Sequence, residues 1–168
     1  MNNVGLEIER KYIIKMPDIH RLAELEGFSE SRITQTYLKG EPDEALRVRC
    51  RIYGGRVEYT ETSKRRVDYI SAVERERTLT KEEYERLLIN KKPGTIPIEK
   101  TRYTFVYEAQ LYEVDVYPRW QNSCIMEAEL QSRHSSLTIP PFIEVLREVT
   151  GDKTYSNASM SKSFPEEI

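Results

Sequence analysis

The feature that most constrains this chain is a two-residue alternation of apolar and charged side chains, with the charges sorted by sign from one segment to the next. Leu6, Ile8, Tyr12 and Ile14 interleave with Glu7, Glu9 and Lys11. That is the period of a β-strand whose two faces differ. Leu46, Val48, Cys50 and Ile52 alternate with Arg47, Arg49 and Arg51, and Lys64 follows Thr60 and Thr62 in the next segment. Further on stand the pairs Glu74 and Glu76, Lys100 and Arg102, Glu113 and Asp115, and Glu127 and Glu129. Residues at i and i+2 lie on one face about 7 Å apart. Whole strands therefore present rows of like charge, which repel unless something bridges them.

Turn signals divide these segments at Gly40 to Asp43, Gly54-Gly55, Pro93-Gly94 and Pro118. A helical period occurs only in short pieces: around 18–25, over 81–88 after a Thr80 cap, and over 142–149 after Pro140-Pro141. The pattern predicts an α+β fold of seven or eight mostly antiparallel strands with helices packed outside. Closing the strands into a barrel with the charged face inward would gather the rows into one site and turn the apolar alternates outward, under the helices.

The 168 residues suit one domain spanning 1–168. Only 38% are hydrophobic, and 32% are charged, against roughly 25% in an average soluble chain. With 26 basic and 28 acidic residues, the net charge is −2. No overall basic field points to nucleic acid or a membrane surface, so any anion site must be local. No stretch approaches the roughly 20 apolar residues of a membrane span, and no basic-then-apolar leader pattern opens the chain. A cytoplasmic protein is expected. Cys50 and Cys124 lack metal-binding spacing and are expected to pack as small hydrophobes, while His20 and His134 are expected at the surface. Two histidines leave little room for a histidine metal site or a Ser/His/Asp triad.

Carboxylates without His or Cys suit a hard ion, Mg²⁺ or Mn²⁺, and clustered Arg and Lys suit phosphate oxygens. Together they point to metal-dependent chemistry on a polyphosphate. The chain has neither a GxxxxGK[ST] nor a GxGxxG pattern.

The opening Glu7-Ile-Glu9-Arg-Lys11 resembles the ExExK signature of the CYTH, or triphosphate tunnel metalloenzyme, superfamily. The resemblance continues in order through Arg47-Val-Arg49, Lys64, Glu74-x-Glu76, Ile98-Glu-Lys100-Thr-Arg102-Tyr, Glu113-Val-Asp115, Glu127-Ala-Glu129 and the segment from Val149 to Asn157. Its late segments are most similar to the short bacterial inorganic triphosphatases. The resemblance implies a closed eight-stranded antiparallel β-barrel, with a triphosphate on Arg and Lys and Mg²⁺ or Mn²⁺ on glutamates. One departure stands out. Related bacterial chains often carry Arg two residues before the Glu74-x-Glu76 pair, where this chain has Ala72, so that either one phosphate contact is missing or Arg66 or Arg75 replaces it.

On this basis Glu7, Glu9, Glu127 and Glu129 are candidate metal ligands. Glu74, Glu76, Glu113 and Asp115 either complete the metal shell or orient the cations. Lys11, Arg47, Arg49, Lys64, Lys100 and Arg102 are candidate phosphate ligands, with Arg51 and Arg66 as weaker ones. Lys153 either reaches a terminal phosphate or is a surface lysine. Lys11 is either a fixed cation or, with Tyr37, the proton acceptor; Tyr37 is otherwise a core tyrosine. Trp120 and Phe142 are expected to be core or rim aromatics. The expected activity is cleavage of a linear triphosphate, inorganic triphosphate first, to pyrophosphate and phosphate. The alternatives are a class IV adenylate cyclase, a thiamine triphosphatase, or a polyphosphate-binding module without turnover. The expected partner is a small triphosphate, and the oligomeric state is open.

Overall fold

A computed structural model describes residues 2–168, with side chains from Val4 onward. Its strands are β1 (Asn2–Lys15), β2 (Ser29–Tyr37), β3 (Ala45–Tyr53), β4 (Arg56–Arg66), β5 (Ser71–Leu79), β6 (Ile98–Tyr107), β7 (Gln110–Val116), β8 (Ser123–Glu129) and β9 (Val145–Glu148). The helices are short: α1 (Ile19–Leu22), α2 (Lys81–Leu87) and α3 (Asn157–Lys162). The strands pair antiparallel in the order β5-β4-β3-β2-β6-β7-β8-β1, and β1 also pairs with β5, which closes an eight-stranded barrel. The expected fold class holds.

Closure depends on the length of β1. Its first half pairs with β5, where Leu6 faces Val73 and Glu7 faces Ala72. Its second half pairs with β8, where Glu9 faces Glu129 and Lys11 faces Glu127. The edge of β1 that β5 leaves at Ile8 is taken up by β9, with Tyr12 opposite Glu148 and Ile13 opposite Arg147. This corrects the helix expected over 142–149. An unpaired strand edge needs backbone partners, and residues 145–148 supply them as a strand.

Turns follow two rules. Between β3 and β4, Gly54 and Gly55 have φ of 51° and 76°, the two-residue hairpin in which both central residues are left-handed. Between β6 and β7 the same positions are held by Glu108 and Ala109, with φ of 48° and 61°. Thr80 caps α2, its Oγ1 accepting from Glu83 N at 3.1 Å. The Glu83 side chain accepts from Thr80 Oγ1 at 3.3 Å.

The outward alternates of β1, β6, β7 and β8 form the main core: Tyr12, Phe105, Tyr112, Val114, Cys124 and Met126. Leu22 of α1 and the segment carrying Leu137, Ile139 and Ile143 cover them. On the opposite side α2 packs Tyr84 and Leu87 over Leu38, Val48 and Leu79. Inside the barrel the charged rows give way to Ile13, Ile98 and Ile125, which share their inward parity. Trp120, Tyr155 of the 3₁₀ turn Lys153–Tyr155, and Met160 of α3 pack on these residues, closing that end with apolar side chains. The mixed interior explains why the alternation stops being charged at the ends of β1 and β8. As expected, Cys124 is buried and His20 and His134 are exposed. Among the described residues, no helix is long and apolar enough to cross a membrane.

Candidate active site

Cross-strand register brings the charged rows together. Tyr37 faces Arg47, Arg47 faces Thr62, and Thr62 faces Glu76. Lys64 faces Glu74, and Arg102 faces Asp115. The rows enclose a cavity of about 490 Å³ lined by every candidate except Arg51, which lies outside it, and Lys100 and Asp115. Lys100 and Asp115 share the inward parity but lie deeper. Lys100 Nζ donates to Asp115 Oδ2 at 2.7 Å, and each side chain is 1% exposed. Arg102 donates to both Asp115 oxygens, at 2.7 and 2.8 Å, and to Glu113 at 2.6 Å. Asp115 is thus saturated, and in this arrangement it orients cations. Lys100 is correspondingly a buried ion-pair partner beneath the cavity.

The two sides of the interior are compensated differently. Lys11 Nζ lies 3.1 Å from Glu127 and 3.9 Å from Glu9, and it donates to the Tyr155 carbonyl at 3.3 Å. Lys64 Nζ is 2.8 Å from Glu7 and 3.8 Å from Glu9. By contrast, Arg47 has no carboxylate within ion-pair distance among the described residues, and Arg49 has only Glu76, at 3.7 Å. Glu74 and Glu129 likewise have no cation partner among the described residues.

Protonation follows from these surroundings. Burial pushes the Lys11 and Lys64 ammoniums down, but their glutamates outweigh it and hold both above the ordinary lysine value. Burial and the neighbouring Arg47 and Arg102 depress Arg49 to about 10. Burial also lowers Lys100 to about 8, against the pull of Asp115. Among the acids, Glu127 is held well below the usual carboxylate range because Lys11, Arg102 and Lys100 outweigh its burial. Glu9 goes the other way, raised to about 7 by burial and by Glu127. Arg49 is a cation in want of an anion, and Glu9 is a carboxyl in want of a cation.

No family model and no curated protein matches the sequence. Solved structures do. The crystal structure of the inorganic triphosphatase NE1496 is 28% identical, with a TM-score of 0.59, over 95% of this chain and 96% of that one. The chain shares the fold of this inorganic triphosphatase. The PH1819 protein from Pyrococcus horikoshii OT3 is 20% identical, with a TM-score of 0.59, over 76% and 80% of the two chains. A putative adenylate cyclase from Bacillus halodurans is also 20% identical, with a TM-score of 0.50, over 76% and 83%. These last two share the fold alone.

In this barrel the carboxylates suit a hard divalent ion in kind. Glu9 and Glu129 face one another directly across β1 and β8, a like-charge pairing that is unfavourable without a cation. Glu7 shares their face, with its Oε2 2.8 Å from Lys64 Nζ. Among the described residues, no three carboxylates are already gathered at metal-holding distance, because Lys11 and Lys64 stand between them.

Several lining residues did not come from strand parity. Arg66 faces Ala72 across β4 and β5 and lines the cavity; Arg75, on the outward parity, does not line it. Arg51 stays outside the cavity, stacked over Tyr53 and 3.9 Å from Glu58. Tyr69, Lys92 and Thr150 also line the cavity, but from loops, where no periodicity marks them. Lys153 lines it too, at the start of the C-terminal 3₁₀ turn.

Proposed function

We propose that the chain hydrolyses a linear triphosphate with a divalent metal, converting inorganic triphosphate to pyrophosphate and phosphate. The observation that carries this reading is the pairing of under-compensated groups in one cavity: Arg47 and Arg49 on one wall, and Glu9 and Glu129 on another. A polyanion answers the first deficit, and a hard cation answers the second. A binding module for polyphosphate alone would leave the carboxylates uncompensated. The name of the neighbouring inorganic triphosphatase, at 28% identity across nearly the whole chain, agrees with this reading.

The residues then divide the work. Arg47, Arg49, Arg66 and Arg102 draw the phosphate chain in and neutralise its non-bridging oxygens, an effect that grows as charge moves to the leaving phosphate. Glu7, Glu9 and Glu129 would hold Mg²⁺ or Mn²⁺, with Glu74, Glu76, Glu113 and Glu127 near enough in the same cavity to share its charge. Such an ion supplies electrostatic stabilisation of the phosphoryl group and a more acidic water. Lys11 is ion-paired with Glu127 at 3.1 Å and Glu9 at 3.9 Å and donates to the Tyr155 carbonyl. That geometry favours a fixed cation over a proton acceptor. Tyr37, buried and beside Arg47 in the register, orients that guanidinium.

The test is phosphate release from inorganic triphosphate, ATP and thiamine triphosphate, each with Mg²⁺ or Mn²⁺ and with chelator. The expected result is metal-dependent release, fastest from inorganic triphosphate. Folded protein that releases phosphate from none of the three would overturn the proposal.

A further inference from the structure

Tyr117 continues the inward row of Glu113 and Asp115 just past the end of β7. It is 1% exposed. Its ring centre lies 6.0 Å from Lys100 Nζ, and the rings of Trp120 and Phe164 meet it edge-on at 5.8 and 5.5 Å. A phenol so enclosed has one proton to give, and Tyr117 donates it to Asn157 Oδ1 at 2.9 Å. That bond settles which way the amide points. The reversed amide would place an N–H on the phenol oxygen and leave the buried hydroxyl proton without an acceptor.

Asn157, the first residue of α3, is half-buried and lines the cavity. With Oδ1 turned to Tyr117, Nδ2 has no hydrogen-bond partner among the described residues. Nor is Nδ2 one of the buried atoms left unpartnered, so it meets open space, and the open space at Asn157 is the cavity. The same side of the cavity carries Lys92 and Lys153. Ile96 N donates to Ser161 O at 2.8 Å, which ties the Lys92 loop to α3. Neither lysine is among those ion-paired in the described residues. This side therefore presents donors and cations to the cavity without answering acceptors.

We propose that Asn157 is a neutral ligand of the bound phosphate chain, its amide held in the donating orientation by the Tyr117 hydroxyl. Nδ2 donates to a non-bridging phosphate oxygen. Tyr117 touches no phosphate and acts through Asn157 as a positioning residue. Where Lys92 and Lys153 supply charge on long, freely turning stems, a clamped amide supplies direction. The inference rests on the triphosphate reading and adds to it one uncharged ligand and the residue that orients it.

The test uses the full chain and inorganic triphosphate with chelator present, so that binding is read without turnover. Calorimetry gives Kd, and thermal melting confirms that each variant is folded. Asn157→Ala should weaken binding roughly tenfold, the scale of a lost hydrogen bond to a charged group. Asn157→Asp keeps the shape and the acceptor for Tyr117 but replaces the donors with a negative charge, so it should weaken binding at least as much. It also decides the matter if Asn157→Ala does not fold. Tyr117→Phe should weaken binding several-fold in the otherwise native chain and by less than twofold beside Asn157→Ala, where nothing is left to position. Folded Asn157→Ala or Asn157→Asp that binds within twofold of wild type would overturn the inference. Tyr117→Phe with no effect, or with the same effect in both backgrounds, would overturn the positioning role. Wild-type protein that does not bind triphosphate would instead overturn the functional reading beneath it.

Discussion

At the scale of single residues, the charges inside the barrel fall into two kinds that respond oppositely to truncation. Asp115 is buried with three donors from Lys100 and Arg102, so Lys100→Met leaves part of its charge unanswered. Breaking a buried ion pair from one side costs about 3–5 kcal/mol, and chemical denaturation should show a loss of that order. Arg49 sits among other cations with one carboxylate at 3.7 Å. Arg49→Leu should leave the ligand-free protein equally or more stable, while the rise in melting temperature caused by inorganic triphosphate shrinks. Glu9 supplies a pH signature. Its pKa is raised to about 7 by burial and Glu127, so its contribution to stability is full below the unfolded value of 4.5 and is lost as pH rises through about 7. Melting of metal-free protein should therefore weaken from pH 4.5 to 7 by on the order of 2 kcal/mol from this group. Glu9→Gln should flatten that trend, and it should also blunt stabilisation by added Mg²⁺. The sequence alone places these side chains on one face, because parity is a property of the strand itself. It does not give depth: Lys100 and Asp115 obey the same alternation as Arg102 and Glu113, yet they lie beneath the cavity.

At the scale of elements, what was legible depended on whether a local signal sets the structure. Thr80 and Glu83 announce α2 by their spacing, and Thr80→Ala should cost about 1 kcal/mol in thermal or chemical melts. Gly54-Gly55 announces its hairpin in the same way. Glu108-Ala109 makes the same kind of turn without glycine, so nothing in the sequence marks it. Ala109→Gly should stabilise the protein by a few tenths to about 1 kcal/mol, as relief of a left-handed alanine outweighs added chain entropy. β9 was misread as a helix because its pairing answers a demand of β1, more than a hundred positions away, that no local window contains. The helix α3 has no apolar period to show it; Ser156, accepting from Ser159 N at 3.1 Å, is its only local signal. Gly151 ties this C-terminal region to the β4–β5 loop. Its φ is +76°, and a Cβ there would lie 2.8 Å from the Tyr69 carbonyl. Gly151→Ala should displace that contact and lower the melting temperature by several degrees.

At the scale of the whole molecule, the barrel is inverted relative to an ordinary small one, with its main apolar cores outside, under α1, α2 and the 137–143 segment, and its charge within. Such an interior is costly to desolvate, and the uneven compensation of its walls shows where a ligand is expected: the carboxylates around Glu9 for a cation, the β2–β4 wall for a polyanion. The central claim is that this interior holds and splits a linear triphosphate. Phosphorus-31 NMR of inorganic triphosphate incubated with the protein and Mg²⁺ tests it most directly. The predicted spectrum loses the triphosphate signals and gains orthophosphate and pyrophosphate in equal amounts, with Arg49→Leu slowing the change at least about tenfold. Triphosphate that persists unchanged beside folded wild-type protein, or that is consumed as fast by folded Arg49→Leu, would contradict the account.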